Sequence, residues 1–163
     1  MIAVLISIRP KWCEKIISGE KTIEVRKTRP KLLPQFKCYI YRSVQDGVIG
    51  EFVCDDIFER IVRVGAICEP SKYCICDWNM DCTPLDTLLA DACLTKDELE
   101  KYLDGGVGYG WHISNLRIYD TPRELREFYA VPNEVEVALK AKPRPITRPP
   151  QSWRYVEEEL WNG

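Results

Sequence analysis

Residues 2–8 read Ile-Ala-Val-Leu-Ile-Ser-Ile, almost wholly apolar and rich in β-branched side chains. Such a run is too short to be an independent helix and has no polar face, so it reads as a β-strand buried on both sides. It lacks a preceding basic region and leads straight into Arg9-Pro10, which argues against a signal peptide. Everything after it must supply its neighbours and its cover. Pro10 ends the run and suits the first turn of a helix over Lys11–Ser18, with Trp12, Ile16 and Ile17 on one side and Gly19 as the left-handed stop.

Thr22-Ile23-Glu24-Val25-Arg26 alternates polar and apolar residues, the pattern of a half-buried strand. Lys37–Arg42 and Val48–Ile57 read as further strands joined through the turn signal Asp46-Gly47. An acidic, cysteine-rich stretch over 65–82 precedes two helices, one capped by Thr83 and one by Thr95 with Glu98 closing a capping box; Gly105-Gly106 ends the second. Tyr109–Ile113 and Leu116–Asp120 read as two strands, and Thr121-Pro122-Arg123-Glu124 opens a short helix. The aromatic residues Trp153, Tyr155 and Trp161 suggest a packed C-terminal tail. Short strands broken by short helices give an α+β fold on a small mixed β-barrel, one domain over residues 1–163.

The net charge of −2 is a poor guide, because the charges are unevenly spread. Residues 9–37 carry nine Lys or Arg against three Glu, and residues 140–154 carry five basic residues and no acidic ones. Residues 55–104 carry twelve acidic residues against five basic. A chain polarised in this way can present a basic face to an anionic partner, unless folding intermixes the charges. No apolar run reaches the roughly 20 residues of a membrane-spanning helix. Eight cysteines without a secretory signal read as thiols in a reducing cytoplasm. Cys68, Cys74, Cys76 and Cys82 lack the paired C-x2–4-C spacing of structural zinc sites, so no metal is expected. No cofactor is expected either, and no Walker loop, dinucleotide fingerprint or Ser-His-Asp motif is present.

Gly19-Glu20-Lys21-Thr22-Ile23-Glu24-Val25-Arg26 matches the pattern G-x-K-x-x-E-x-R. It follows one strand and one short helix. Downstream stand Ile49-Gly50-Glu51-Phe52, Tyr109-Gly110-Trp111-His112-Ile113-Ser114 and Ile146-Thr147-Arg148-Pro149-Pro150-Gln151-Ser152-Trp153. In this order the segments resemble the ASCH family, in particular a bacterial and phage branch of it. The resemblance implies a PUA-like barrel with a positively charged cleft between barrel and first helix. It implies RNA or a nucleotide-like small molecule as partner and a regulatory role towards RNA or transcription. Some relatives are ribonucleases, and a small branch hydrolyses N4-acetylated cytosine nucleosides.

The candidate ligand-binding residues are Arg9, Lys21, Thr22, Glu24, Arg26, Trp111, His112, Ser114, Arg148 and Ser152. Strand alternation puts Thr22, Glu24 and Arg26 on one face. Arg26 offers a planar fork, Lys21 a mobile point charge, and Glu24 an acceptor for an exocyclic amino group. The competing reading is an ion pair of Glu24 with Arg26 or Lys21 that holds the strand in place. Trp111 is either a base-stacking surface or barrel core, and His112, the single histidine, faces the other way. Arg148–Trp153 is either a wall of the cleft or a polyproline strut. In an enzyme, Lys21 and Glu24 would be the catalytic pair. The amidohydrolase branch, however, has threonine at the position of Glu24, which weakens that alternative against a binding module.

Overall fold

Ile2–Ile8 forms strand β1, and its burial follows from its neighbours. In the computed structural model, which describes residues 1–44, 47–63, 73–76, 82–83 and 85–157, β1 is parallel to β3 (Phe36–Arg42), with Val4 opposite Cys38 and Ile8 opposite Arg42. On its other side β1 is antiparallel to β9 (Trp153–Glu157), with Ile2 opposite Glu157 and Ile6 opposite Trp153. Val4, Leu5 and Ile6 are fully buried. A parallel pair needs a crossover, and residues 9–35 provide it: helix α1 (Pro10–Ile17), the turn at Gly19 (φ +79°) and strand β2 (Ile23–Arg26).

The chain then continues through β4 (Gly47–Arg63), β5 (Tyr73–Cys76), β6 (Cys82–Thr83), α2 (Leu85–Ala92), α3 (Lys96–Leu103) and β7 (Gly108–Arg123). A 3-10 turn (Leu125–Glu127), β8 (Tyr129–Ala130) and α4 (Glu134–Ala138) lead to β9. These elements divide into two compact units. The first comprises Met1–Cys13, Phe36–Val53 and Asn115–Gly163; the second comprises Glu14–Gln35 and Cys54–Ser114.

In the first unit, β9 also carries the short β8, and β3 is bonded to β4 on the side away from β1. Its core holds Ala3, Leu5, Tyr39, Val48, Phe128, Ile146 and Val156. The proline-rich segment is fastened to β1: Ser7 donates its N–H to the Ser152 carbonyl at 2.9 Å and its hydroxyl to the Pro150 carbonyl at 2.6 Å. In the second unit, β2 is antiparallel to β7, with Ile23 opposite His112, Glu24 opposite Trp111, Val25 opposite Gly110 and Arg26 opposite Tyr109. Its core holds Ile23, Val25, Ile61, Leu88, Leu99 and Leu103. The expected capping box of α3 is present, with Thr95 and Glu98 satisfying each other's backbone N–H.

Three elements differ from the sequence reading. All four residues of β2 are buried, so its polar face is covered rather than solvated. The two strands expected around residues 109–120 are one strand. Asn115 takes a left-handed φ of 48°, which asparagine tolerates, and β7 continues through it. No helix starts at Thr121: β7 runs on to Arg123, and Glu124 caps the 3-10 turn instead. The turn residue Asp46, the thiol of Cys68 and Trp161 lie outside the described residues, as do the side chains of Cys74, Cys76, Cys82 and the expected cap Thr83. Cys13, Cys38 and Cys54 are buried thiols and Cys93 is a half-buried one. Burial, reinforced by Asp55 and Asp56, pushes the Cys54 thiol up to about 12. Among the described residues no helix is long and apolar enough to cross a membrane, and no His, Cys, Asp and Glu cluster could hold a metal.

Candidate functional site

The motif residues converge because the turn after α1 is pinned to the end of α2. Lys21 donates its backbone N–H to the Lys15 carbonyl at 2.9 Å, and Thr22 donates to the Asp91 carbonyl at 2.8 Å. The Lys21 ammonium donates to the Ala92 carbonyl at 2.7 Å. It therefore sits at the C-terminus of α2, where the helix dipole favours a cation. It also lies 3.3 Å from one carboxylate oxygen of Glu24, while Arg26 Nη2 lies 2.8 Å from the other. Glu24 is thus held between two cations, one on each oxygen. Lys21, Glu24 and Arg26 are 3%, 6% and 8% exposed. Both ion pairs weighed from the sequence exist together, and they account for the buried polar face of β2.

Register then divides the other candidates. Residues directly opposite in an antiparallel ladder share a face. Trp111 and Tyr109 accordingly share the face of Glu24 and Arg26, whereas His112 lies on the face of Ile23. Trp111 is 0% exposed, so it offers no stacking surface and fits the barrel-core alternative. On the opposite face, His112 Nδ1 lies 2.6 Å from Asp55 Oδ1, and Ser114 hydrogen-bonds the same carboxylate. The His112 hydrogen bond holds the Asp55 carboxyl below its ordinary range. The structure brings Lys21, Thr22, Glu24 and Arg26 together and separates them from His112 and Ser114 by the thickness of the ladder. Arg9, Arg148 and Ser152 belong to the first unit; Arg9 and Arg148 are exposed and Ser152 is half-buried.

The aromatic residue beside the motif is one the sequence reading missed. Tyr102, in the last turn of α3, is 39% exposed. Burial of its phenol pushes its pKa up; Arg26 opposes that shift and Glu24 adds to it, so both charges bear on the ring. The Lys27 ammonium stands 5.4 Å from the ring centroid, within cation–π range. The available signal was its place: one turn beyond Leu99 and just before the Gly105-Gly106 stop.

Charge is distributed differently from the sequence reading. The basic residues 14–35 and the acidic residues 54–104 fold into the same unit. That unit carries eleven Lys or Arg and fifteen Asp or Glu, against twelve and ten in the other. The segments are polarised along the chain; the two units differ much less.

A family model of the ASCH domain matches residues 6–136. Among solved structures, the ASCH protein ZmASCH of Zymomonas mobilis is similar at 18% identity and a TM-score of 0.55, over 96% of this chain and 88% of that one. A tyrosine-to-phenylalanine mutant of ZmASCH is similar at 17% identity and a TM-score of 0.59, over 96% and 91% of the two chains. A serine-to-alanine mutant is similar at 18% identity and a TM-score of 0.60, over 96% and 89%. No curated protein matches. Likeness at this level of identity concerns the fold, which is the α+β, PUA-like fold expected from the sequence. The family match spans most of the chain and takes in the whole G-x-K-x-x-E-x-R motif, and the chain belongs to the ASCH domain family.

Proposed function

We propose that the protein binds single-stranded RNA or a nucleotide-like ligand at the motif face of its second unit, without cleaving it. The observation that carries this reading is the exposed Tyr102 ring, with Lys27 over it and the Arg26–Glu24 pair close by. An aromatic platform flanked by cations is the usual means of holding an unstacked base and its phosphate. Arg26 contributes a fork geometry that suits phosphate or a base edge, and Glu24 fixes that fork.

Hydrolysis is less well supported. A general base must lie within reach of the proton it removes, and Glu24 is only 6% exposed, closed in between the Lys21 and Arg26 cations. The one imidazole lies on the other face of the ladder. A cytoplasmic location and a role in regulating RNA or transcription are compatible with this reading.

Fluorescence anisotropy with a labelled single-stranded RNA tests it. Affinity should fall steeply and log-linearly with salt as counterions are released. Arg26→Lys, which keeps the charge and loses the fork, should weaken binding about tenfold or more. Tyr102→Leu should cost about 1–3 kcal/mol, the usual worth of a base–aromatic stack. Lys96→Ala, on an exposed turn of α3 paired with Glu100, should change nothing. Salt-independent binding, or equal losses in all three variants, would count against the reading.

A further inference from the structure

The first unit contains a polar cavity of about 710 Å³ that the motif does not touch. It lies over β3, β4 and β7, and its size is in the range of small-molecule sites. Three features make it a built site. First, Glu51 is held in place by the Tyr119 hydroxyl, which donates at 2.5 Å, and by the Lys37 ammonium at 3.6 Å; its side chain is only 18% exposed. A carboxylate accepts at about four lone-pair positions, so acceptor capacity remains after these contacts. Burial, together with the hydrogen bond to Glu51, pushes the Tyr119 phenol up, which keeps it a donor. Second, the Arg123 guanidinium lies 4.7 Å from the Phe128 ring centroid and 6.0 Å from that of Tyr119, while its Nε bonds Glu127 at 2.9 Å. Arg123 also hydrogen-bonds the Tyr119 hydroxyl, so its guanidinium is held at the cavity between Glu127 and Tyr119, and a guanidinium carries five N–H donors, more than these two contacts use. Third, Arg117, exposed at the rim, lies 6.0 Å from the Tyr119 centroid.

We propose that this cavity is a nucleotide site, distinct from the motif face, that takes a nucleobase with an exocyclic amino group and its phosphate. The carboxylate of Glu51 accepts from the amino group, as carboxylates do with cytosine. Arg117 and Arg123 take the phosphate, for which guanidinium geometry is suited. The site does not depend on the motif reading, since none of its residues is in the second unit. Its ligand is either a free nucleoside monophosphate or the 5′-phosphorylated end of an RNA; the chemistry is shared.

Amide chemical-shift mapping with cytidine 5′-monophosphate tests it. Shifts should centre on Lys37, Glu51 and residues 117–123, with uridine 5′-monophosphate binding about tenfold more weakly. Glu51→Gln presents an amide that can both donate and accept, so the cytidine-over-uridine preference should collapse. A merely structural role for Glu51 would leave that preference intact. Arg117→Ala, at the exposed rim, should weaken both nucleotides alike, and it serves if Glu51→Gln fails to fold. A 5′-phosphorylated cytidine trinucleotide that binds more tightly than the monophosphate assigns the RNA end; weaker binding assigns the free nucleotide. Inorganic phosphate giving the same shifts with no base preference would overturn the proposal. So would shifts confined to residues 21–27 and 102, an outcome that leaves the motif reading standing.

Discussion

Glu24→Ala is expected to cost about 3–5 kcal/mol of stability, the typical penalty for removing one partner of a buried ion pair. The two cations that flank Glu24 are themselves buried, with side-chain exposures of 2% for Lys21 and 9% for Arg26. Without the carboxylate they stay out of water with their main counter-charge gone. A domain of this size is stable by only about 5–15 kcal/mol, so the loss should be plain in a urea titration. Lys96→Ala, an exposed change, should stay within about 0.5 kcal/mol. Replacing all three motif charges with apolar residues of similar volume should recover much of the loss, because buried ion networks rarely outperform good packing. A Glu24→Ala cost below about 1 kcal/mol would show that water reaches the trio and that its burial is overstated.

Trp111→Ala should be comparably damaging, at about 3–5 kcal/mol, because a fully buried indole leaves a large cavity. His112→Ala, at the next position on the opposite face, should cost much less, since the imidazole is 38% exposed and its partner Asp55 is 35% exposed. The contrast tests the strand register directly. Equal losses at the two positions would mean that the indole is not fully enclosed while the imidazole reaches water.

Elements of both units are legible in the sequence where their signals are local. The apolar run 2–8 forms the strand it suggests, over the same residues, and Thr95 with Glu98 builds the capping box its spacing implies. The alternation of residues 22–26 correctly separates Glu24 and Arg26 from Ile23 and Val25, but it reads as half-buried. Periodicity reports sidedness; it does not report whether the polar side meets water or a paired ion network. That Lys21 reaches the Ala92 carbonyl depends on a contact 71 residues away in sequence, which no local pattern contains. The same holds for the cavity over β3, β4 and β7. Glu51 meets Tyr119 across 68 residues, and neither residue stands out where it sits in the chain. Trp111 and Tyr102 are the instructive pair. A tryptophan in a motif-like segment draws attention as a stacking surface, yet the antiparallel register buries it. The unremarked tyrosine at the end of α3 is the ring that reaches the surface beside Arg26.

Binding without turnover is best tested by measuring both quantities on one preparation of wild type and Glu24→Gln. The substitution keeps the shape and much of the hydrogen bonding of Glu24 but removes its capacity to accept a proton. The expected result is no metal-independent cleavage of RNA or of N4-acetylcytidine by rigorously purified wild type, together with a loss of about 1–3 kcal/mol in RNA binding by Glu24→Gln. The contradicting result is an activity that copurifies with the wild type and falls by roughly 10²–10⁴-fold in Glu24→Gln while binding is unchanged.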